Sequence, residues 1–155
     1  MITERIFFMD DSGKVNERPS EGCFKPVVPI ALAHTNALSI QPTPKHNFSD
    51  RFDWALIDTG ADENFIDDAA AARLDIPEVA GTSAIVRGAT ATHPGKIHTA
   101  PIILIGSKHT FYTNLTTAPL SQNGRKYSVI LGIRFLKQGR LLLDFEKSRF
   151  EFRKL

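Results

Sequence analysis

Phe52-Asp53-Trp54-Ala55-Leu56-Ile57-Asp58-Thr59-Gly60-Ala61-Asp62 is the stretch on which the reading of this chain turns. Its first half is apolar apart from Asp53 and reads as a strand that buries itself, then stops at Asp58-Thr59-Gly60-Ala61. Beyond the stop, Phe65, Ile66, Ala69, Ala70 and Leu74 recur at helical spacing until Asp75-Ile76-Pro77, where proline disfavours a helical residue before it. Strand, tight turn, short helix is the expected local order. Leu56 and Ile57 give Asp58 an apolar setting, in which an isolated charge is disfavoured. A second carboxylate alongside, sharing one proton, is the economical compensation. It leaves one acid and one base, the division that peptide hydrolysis through an activated water requires. Thr59 can lock the turn by a hydrogen bond, and Gly60 lets a substrate backbone approach where a side chain would block it.

Strands dominate the remainder. Ile6 to Met9, the turn residues Asp10-Asp11-Ser12-Gly13 and Lys14-Val15 read as a short hairpin trailing into polar Asn16 to Gly22. Residues 1–23 are therefore expected to form an N-terminal arm and residues 24–155 the main domain. Phe24 to Leu38 carries Pro26 and Pro29 and is predicted as an edge strand, and residues 41–53 as a long exposed loop. Ser83 to Arg87, Ile97 to Ile105 and Thr110 to Leu115 are strand-like, with a Gly-, Thr- and Pro-containing stretch from Gly88 to Lys96 between the first two. Tyr127 to Leu131 reads as a buried strand, followed by Gly132, a helical turn through Phe135-Leu136-Lys137, and a closing hairpin of Leu141 to Phe145 with Arg149 to Phe152.

Three elements in this order resemble the retropepsin-like aspartic proteases, the single-domain relatives of retroviral protease. They are Ala55-Leu56-Ile57-Asp58-Thr59-Gly60-Ala61-Asp62 with its following helix, the flap-like Val86-Arg87-Gly88-Ala89-Thr90 running on to Ile97, and Val129-Ile130-Leu131-Gly132-Ile133-Arg134-Phe135-Leu136. The resemblance covers roughly Phe24 to Phe152. Its helix after the Asp58 turn and its C-terminal hairpin are like those of bacterial members. The resemblance implies a mainly β, closed barrel-like acid-protease domain with one or two short helices, paired about a two-fold axis. It implies an endopeptidase in which Asp58, Thr59 and Gly60 of two subunits form the catalytic centre. Ala61, Asp62, flap residues Gly88, Ala89 and Thr90, and the pocket walls Ser128 and Ile130 would then hold an extended polypeptide substrate. With one such motif in 155 residues, the second Asp58 comes from a homodimer partner. A relative that keeps the fold only to bind or scaffold peptides is the alternative.

Two departures from the family pattern stand out. Asn64 occupies a position where retroviral members carry Thr or Ser, and its side chain can still cap the helix. Ile133 occupies the position where many relatives carry Arg. Asp62 therefore either pairs with Arg134 by a shifted route or stays free for substrate.

Composition bounds the other classes. The chain has 155 residues, 19 Lys+Arg against 17 Asp+Glu, a formal charge of +2 and 42% hydrophobic residues, the balance of one ordinary soluble domain. The positive excess is spread out, so nucleic acid is not an expected partner. Ile6-Phe7-Phe8-Met9 is far shorter than a signal core or membrane span, and a lone Cys23 fits a reducing compartment, so a cytoplasmic protein without membrane association is expected. His93 and His98 are five residues apart in a strand-like segment and fall on opposite faces, which speaks against a metal site. Gly88 to Lys96 lacks the spacing and the Ser or Thr of a phosphate loop. No cofactor or metal is expected. Asp11-Ser12-Gly13 is a second Asp-Ser/Thr-Gly triplet, but it is followed by Lys14 and reads as the hairpin turn. Trp54 reads as core or interface packing.

Overall fold

The computed structural model describes residues 1–32, 52–76, 78–87 and 92–155. The decisive stretch forms strand β5 (Asp53–Ile57), in which Ala55 and Ile57 are buried in the main core while Trp54 and Leu56 face the other way. After the Asp58 turn the chain re-enters as β6 (Phe65–Asp67) and then as helix α1 (Asp68–Arg73). Phe65 and Ile66 thus lie on a strand and not on the expected helix. Their apolar pair suits either period, and the choice is made by flanking strands on both sides of β6. The helix itself begins only at the alanine run, with Asp68 in its first turn and Arg73 in its last, each favourably placed on the helix dipole.

Between β5 and β6 lies β10 (Val129–Leu131), a strand from far along the chain. It runs parallel to β5, with Ile130 opposite Leu56 and Leu131 opposite Ile57, and antiparallel to β6, with Ile130 opposite Phe65. Continuing outward, β6 pairs with β9 (His109–Ala118) and β9 with β8 (Thr92–Leu104). The ring closes where β8 meets β4 (Lys25–Leu32), through Ile30–Leu104, Ala31–Ile103 and Leu32–Ile102, because β4 is also paired to β5. Six strands, β4-β5-β10-β6-β9-β8, make this closed barrel. Val28, Ile30, Leu32, Ala55, Ile57, Ile66, Ile102, Leu104, Leu115, Val129 and Leu131 fill it. With α1 and the short α2 (Ile133–Leu136), the mainly β architecture is the one expected. The strand β7 (Glu78–Arg87) lies outside β8.

The strand β4 is not an edge strand, as its prolines had suggested. One of its edges pairs with β5, and the other is shared by β2 (Phe7–Met9) over Lys25 to Val27 and by β8 from Ile30 onward. Pro29 falls at the handover between those two partners, and its carbonyl accepts from the Ile105 N–H at 3.1 Å. Pro26 lies beyond the end of the β5 ladder, which begins at Val27. A proline is tolerated inside the sheet because its missing donor meets a gap in the pairing.

The N-terminal residues are woven into both sheets. The strand β1 (Ile2–Arg5) pairs with β12 (Arg149–Lys154), which pairs with β11 (Gly139–Asp144). Next, β2 and β3 (Val15–Asn16) form the hairpin. Its turn is organised by Asp10, whose Oδ1 accepts from the Ser12 N–H, the Ser12 hydroxyl and the Lys14 N–H at 2.9, 2.7 and 2.9 Å. Ile6 and Phe8 are buried in the main core, where Phe8 meets Phe150 edge-on at 4.8 Å. No helix among the described residues is long and apolar enough to cross a membrane.

Candidate active site

Asp58 stands where β5 ends, and the main chain there is fixed before any side chain is considered. The Asp58 N–H donates to Leu131 O at 3.1 Å, the Ala61 N–H to Asp58 O at 3.3 Å, and the Gly60 N–H to the Asp58 carboxylate Oδ1 at 2.8 Å. A Cβ at Gly60 would lie 3.2 Å from that same Oδ1, so the glycine leaves the carboxylate room to take the hydrogen bond. Asp58 is half-buried, Thr59 and Gly60 are exposed. Among the described residues Asp58 takes part in no ion pair, and its oriented oxygen has a main-chain donor as its partner.

The turn is braced from below by the start of α2. Ala61 O and Asp62 O accept from the Ile133 and Arg134 N–H groups at 2.8 and 3.0 Å. Gly132 packs so closely under the turn that a Cβ would strike the carbonyls of Glu63 and Ala61. Asn64, 1% exposed, does not cap the helix. Its Oδ1 accepts from the Gly132 N–H at 3.0 Å and its Nδ2 donates to Thr113 Oγ1 at 2.9 Å, joining the turn to β10 and β9.

Arg134 pairs with Glu63 and not with the Asp62 side chain, through Nε to Oε2 and through Nη2 to Oε1 at 2.8 Å. This pair ties the start of α2 to the turn that follows Asp58. The hydrogen bond from Arg134, and then its charge, holds the Glu63 carboxyl below the ordinary range and raises the guanidinium in turn. Asp62 is exposed.

The outer face of the sheet beside Asp58 is apolar. Leu56, Phe65 and Ile130 pack with Trp54, Phe7 and Val15 around buried Met9, Val27, Ala118, Leu120 and Tyr127. Tyr127, expected only as part of a buried strand, has a phenol that feels the Asp58 charge. Burial raises its pKa first, and the Asp58 charge adds to that while Arg125 and Lys25 oppose it. Of the pocket residues expected from the sequence, Ile130 lies opposite Leu56, two residues before Asp58. Ser128 sits further back, its N–H donating to Trp54 O at 3.0 Å and its hydroxyl oxygen buried, beside a recess of about 680 Å³ that it lines with Asp53, Asp67, Arg73 and Tyr127. Gly88, Ala89 and Thr90, the loop at 41–51, and His34 and His46 lie outside the described residues. Asp11 is on the hairpin turn, ion-paired with Lys25. Cys23 is a buried free thiol. Among the described residues no group of three or more His, Cys, Asp or Glu side chains is gathered about a possible metal position.

No family model matches the chain. No curated protein matches it either. Among solved structures it is similar to the retroviral protease-like domain of Ddi1 from Leishmania major, with 15% sequence identity over 84% of this chain and 94% of that chain, at a TM-score of 0.44.

Proposed function

We propose that the chain is an aspartic endopeptidase whose active form is a homodimer with one Asp58 contributed by each subunit. The observation that carries this reading is a carboxylate at the end of β5, oriented by the Gly60 N–H at 2.8 Å, on a turn braced by Asn64 and the start of α2. A half-exposed acid with no ion pair among the described residues is available for chemistry, and a two-fold axis past it would bring a second to the same place.

In this mechanism a water lies between the two carboxylates. The ionised one takes its proton as the oxygen attacks the scissile carbonyl, and the protonated one gives its proton to the carbonyl oxygen. Collapse of the tetrahedral intermediate returns a proton to the leaving amine and restores the shared-proton pair. Ala61, Asp62 and Ile130 border the extended peptide, and Ser128 lies further along it. Activity is greatest at mildly acidic to neutral pH and falls as the pair loses the shared proton.

The test is cleavage of an unfolded protein across pH by the wild type, Asp58→Asn and Asp11→Asn, with molar mass followed by light scattering. Loss of activity in Asp58→Asn alone is expected. Unchanged cleavage by Asp58→Asn overturns the proposal. Peptide binding by a dimeric wild type that cleaves nothing would move the reading to a binding domain. Adding excess Asp58→Asn chain to the wild type should also remove activity in proportion to mixed dimers, as a site built from two subunits demands.

A further inference from the structure

The hairpin at the N-terminus is joined to the sheet face that carries Asp58. Along β5 the alternation of side chains puts Phe52, Trp54 and Leu56 on one face, with Asp58 at the next step, while Asp53, Ala55 and Ile57 take the other. Across the strands, register places Phe7 opposite Val27, Val27 opposite Leu56, Leu56 opposite Ile130 and Ile130 opposite Phe65. One apolar row therefore runs from the hairpin to the strand under the catalytic-type turn. At its hairpin end it emerges as aromatic surface. Trp54 meets Phe7 edge-on at 5.7 Å and Phe52 at 5.6 Å, and Phe52 is 57% exposed. The hairpin is held in place from the other side, with Asp11 ion-paired to Lys25 and Gly13 packed on the Lys126 side chain, next to Tyr127.

We propose that the β2–β3 hairpin extends the peptide-binding face, and that Phe7, Trp54 and Phe52 select a bulky apolar side chain of the substrate several residues from the bond that is cut. This rests on Asp58 being the cleavage centre. The spacing argues for a peptide as occupant. Phe7 is two strands from Leu56, about 10 Å, and Asp58 is two residues beyond Leu56, about 7 Å along the strand, so Phe7 lies roughly 12 Å from the acid, while Trp54 and Phe52, earlier on the strand that leads to Asp58, lie roughly 13 and 20 Å from it. An extended peptide advances about 3.3 Å per residue, so its third or fourth residue from the scissile bond reaches Phe7 and Trp54, and about its sixth reaches Phe52. Exposed aromatic surface continuous with the apolar face beside Asp58 is the kind of patch that marks a recognition site, and aromatic rings bury large apolar area with little loss of freedom.

Two readouts test it. In Asp58→Asn, peptides carrying Phe or Ser at each position in turn are titrated against the fluorescence of Trp54, the chain's single tryptophan. In the active chain, the same peptides are ranked by kcat/KM. Expected are a binding and cleavage preference for Phe over Ser about six residues from the cut, lost in Phe52→Ser, and one of about tenfold or more three or four residues from the cut, lost in Phe7→Ala. Phe7→Leu should restore part of it, and Phe52 is exposed enough for its replacement to leave the fold intact. Selectivity unchanged in both variants overturns the inference while leaving the protease intact. A drop in molar mass in Phe52→Ser, with selectivity unchanged, assigns the face to subunit contact and likewise overturns it. Absence of cleavage by the wild type counts against the protease reading, and the Trp54 titration then decides the hairpin's role as a peptide contact alone.

Discussion

Asn64 uses both ends of its amide inside the fold, one on the Gly132 N–H and one on Thr113. Asn64→Ala strands a buried donor, which costs about 1–3 kcal/mol. A urea midpoint should fall accordingly, and the cleavage proposed for Asp58 should fall further because its turn loosens. Gly132→Ala forces a methyl group against two carbonyls, and overpacking against backbone should cost at least as much, on the order of 1–3 kcal/mol or above. The Glu63–Arg134 pair sets a pH dependence of known sign. Its carboxyl is held below the ordinary range by the Arg134 hydrogen bond and charge, so its stabilisation is present above the ordinary Glu value of about 4.3 and is lost as pH falls through the lower folded value. Both side chains are about half exposed, at 45% and 51%, so the contribution is small and screened by salt. Stability of Glu63→Gln and wild type should therefore converge in acid and separate slightly above it at low salt, as guanidinium titrations can measure.

Elements were legible where their signal is local. The Asp58 stop, the hydrophobic-Gly segment of β10 and the closing hairpin each announce themselves within a few residues, and they located the turn and its neighbour Ile130. What could not be read was set by partners distant in sequence. Phe65 and Ile66 fit two periods, and only β9 and β10 on either side select the strand. The position of Pro29 depends on which strand takes over along β4. The pairing of Arg134 with Glu63 joins two elements distant in sequence and is invisible in spacing alone. The N-terminal segment gave a weak signal because β1 is short and polar, yet Ile6, Phe8 and Cys23 are buried in the main core. Each buried apolar side chain of that size is worth about 1.5–3 kcal/mol against a typical net stability of about 5–15 kcal/mol. Deleting residues 1–23 should abolish cooperative unfolding, as thermal circular dichroism would reveal.

At the scale of the whole molecule, the barrel and the terminal three-stranded sheet meet at one corner. Glu4 of β1, 1% exposed, accepts from the Ser107 N–H between β8 and β9, and Lys154 of β12 donates to His109 Nε2 at 2.9 Å. Burial, then the Lys154 charge, holds the His109 pKa below its ordinary value, with Glu4 opposing. The unfolded chain then binds the proton more readily than the folded one. Stability is full above the ordinary histidine value of about 6.5 and declines as pH falls below it. The melting temperature should decrease on that side, and His109→Gln should flatten the slope. The chain's one thiol has a different use. Cys23 is 3% exposed beneath the hairpin, its Sγ–H donating to Phe8 O at 3.2 Å. An alkylating reagent reaches it only when that seam parts, so a single mass increment marks each molecule that has been caught open. With reclosing fast, the labelling rate gives the free energy of lifting the hairpin, and the native sequence thereby carries its own gauge of how often the N-terminal seam breathes.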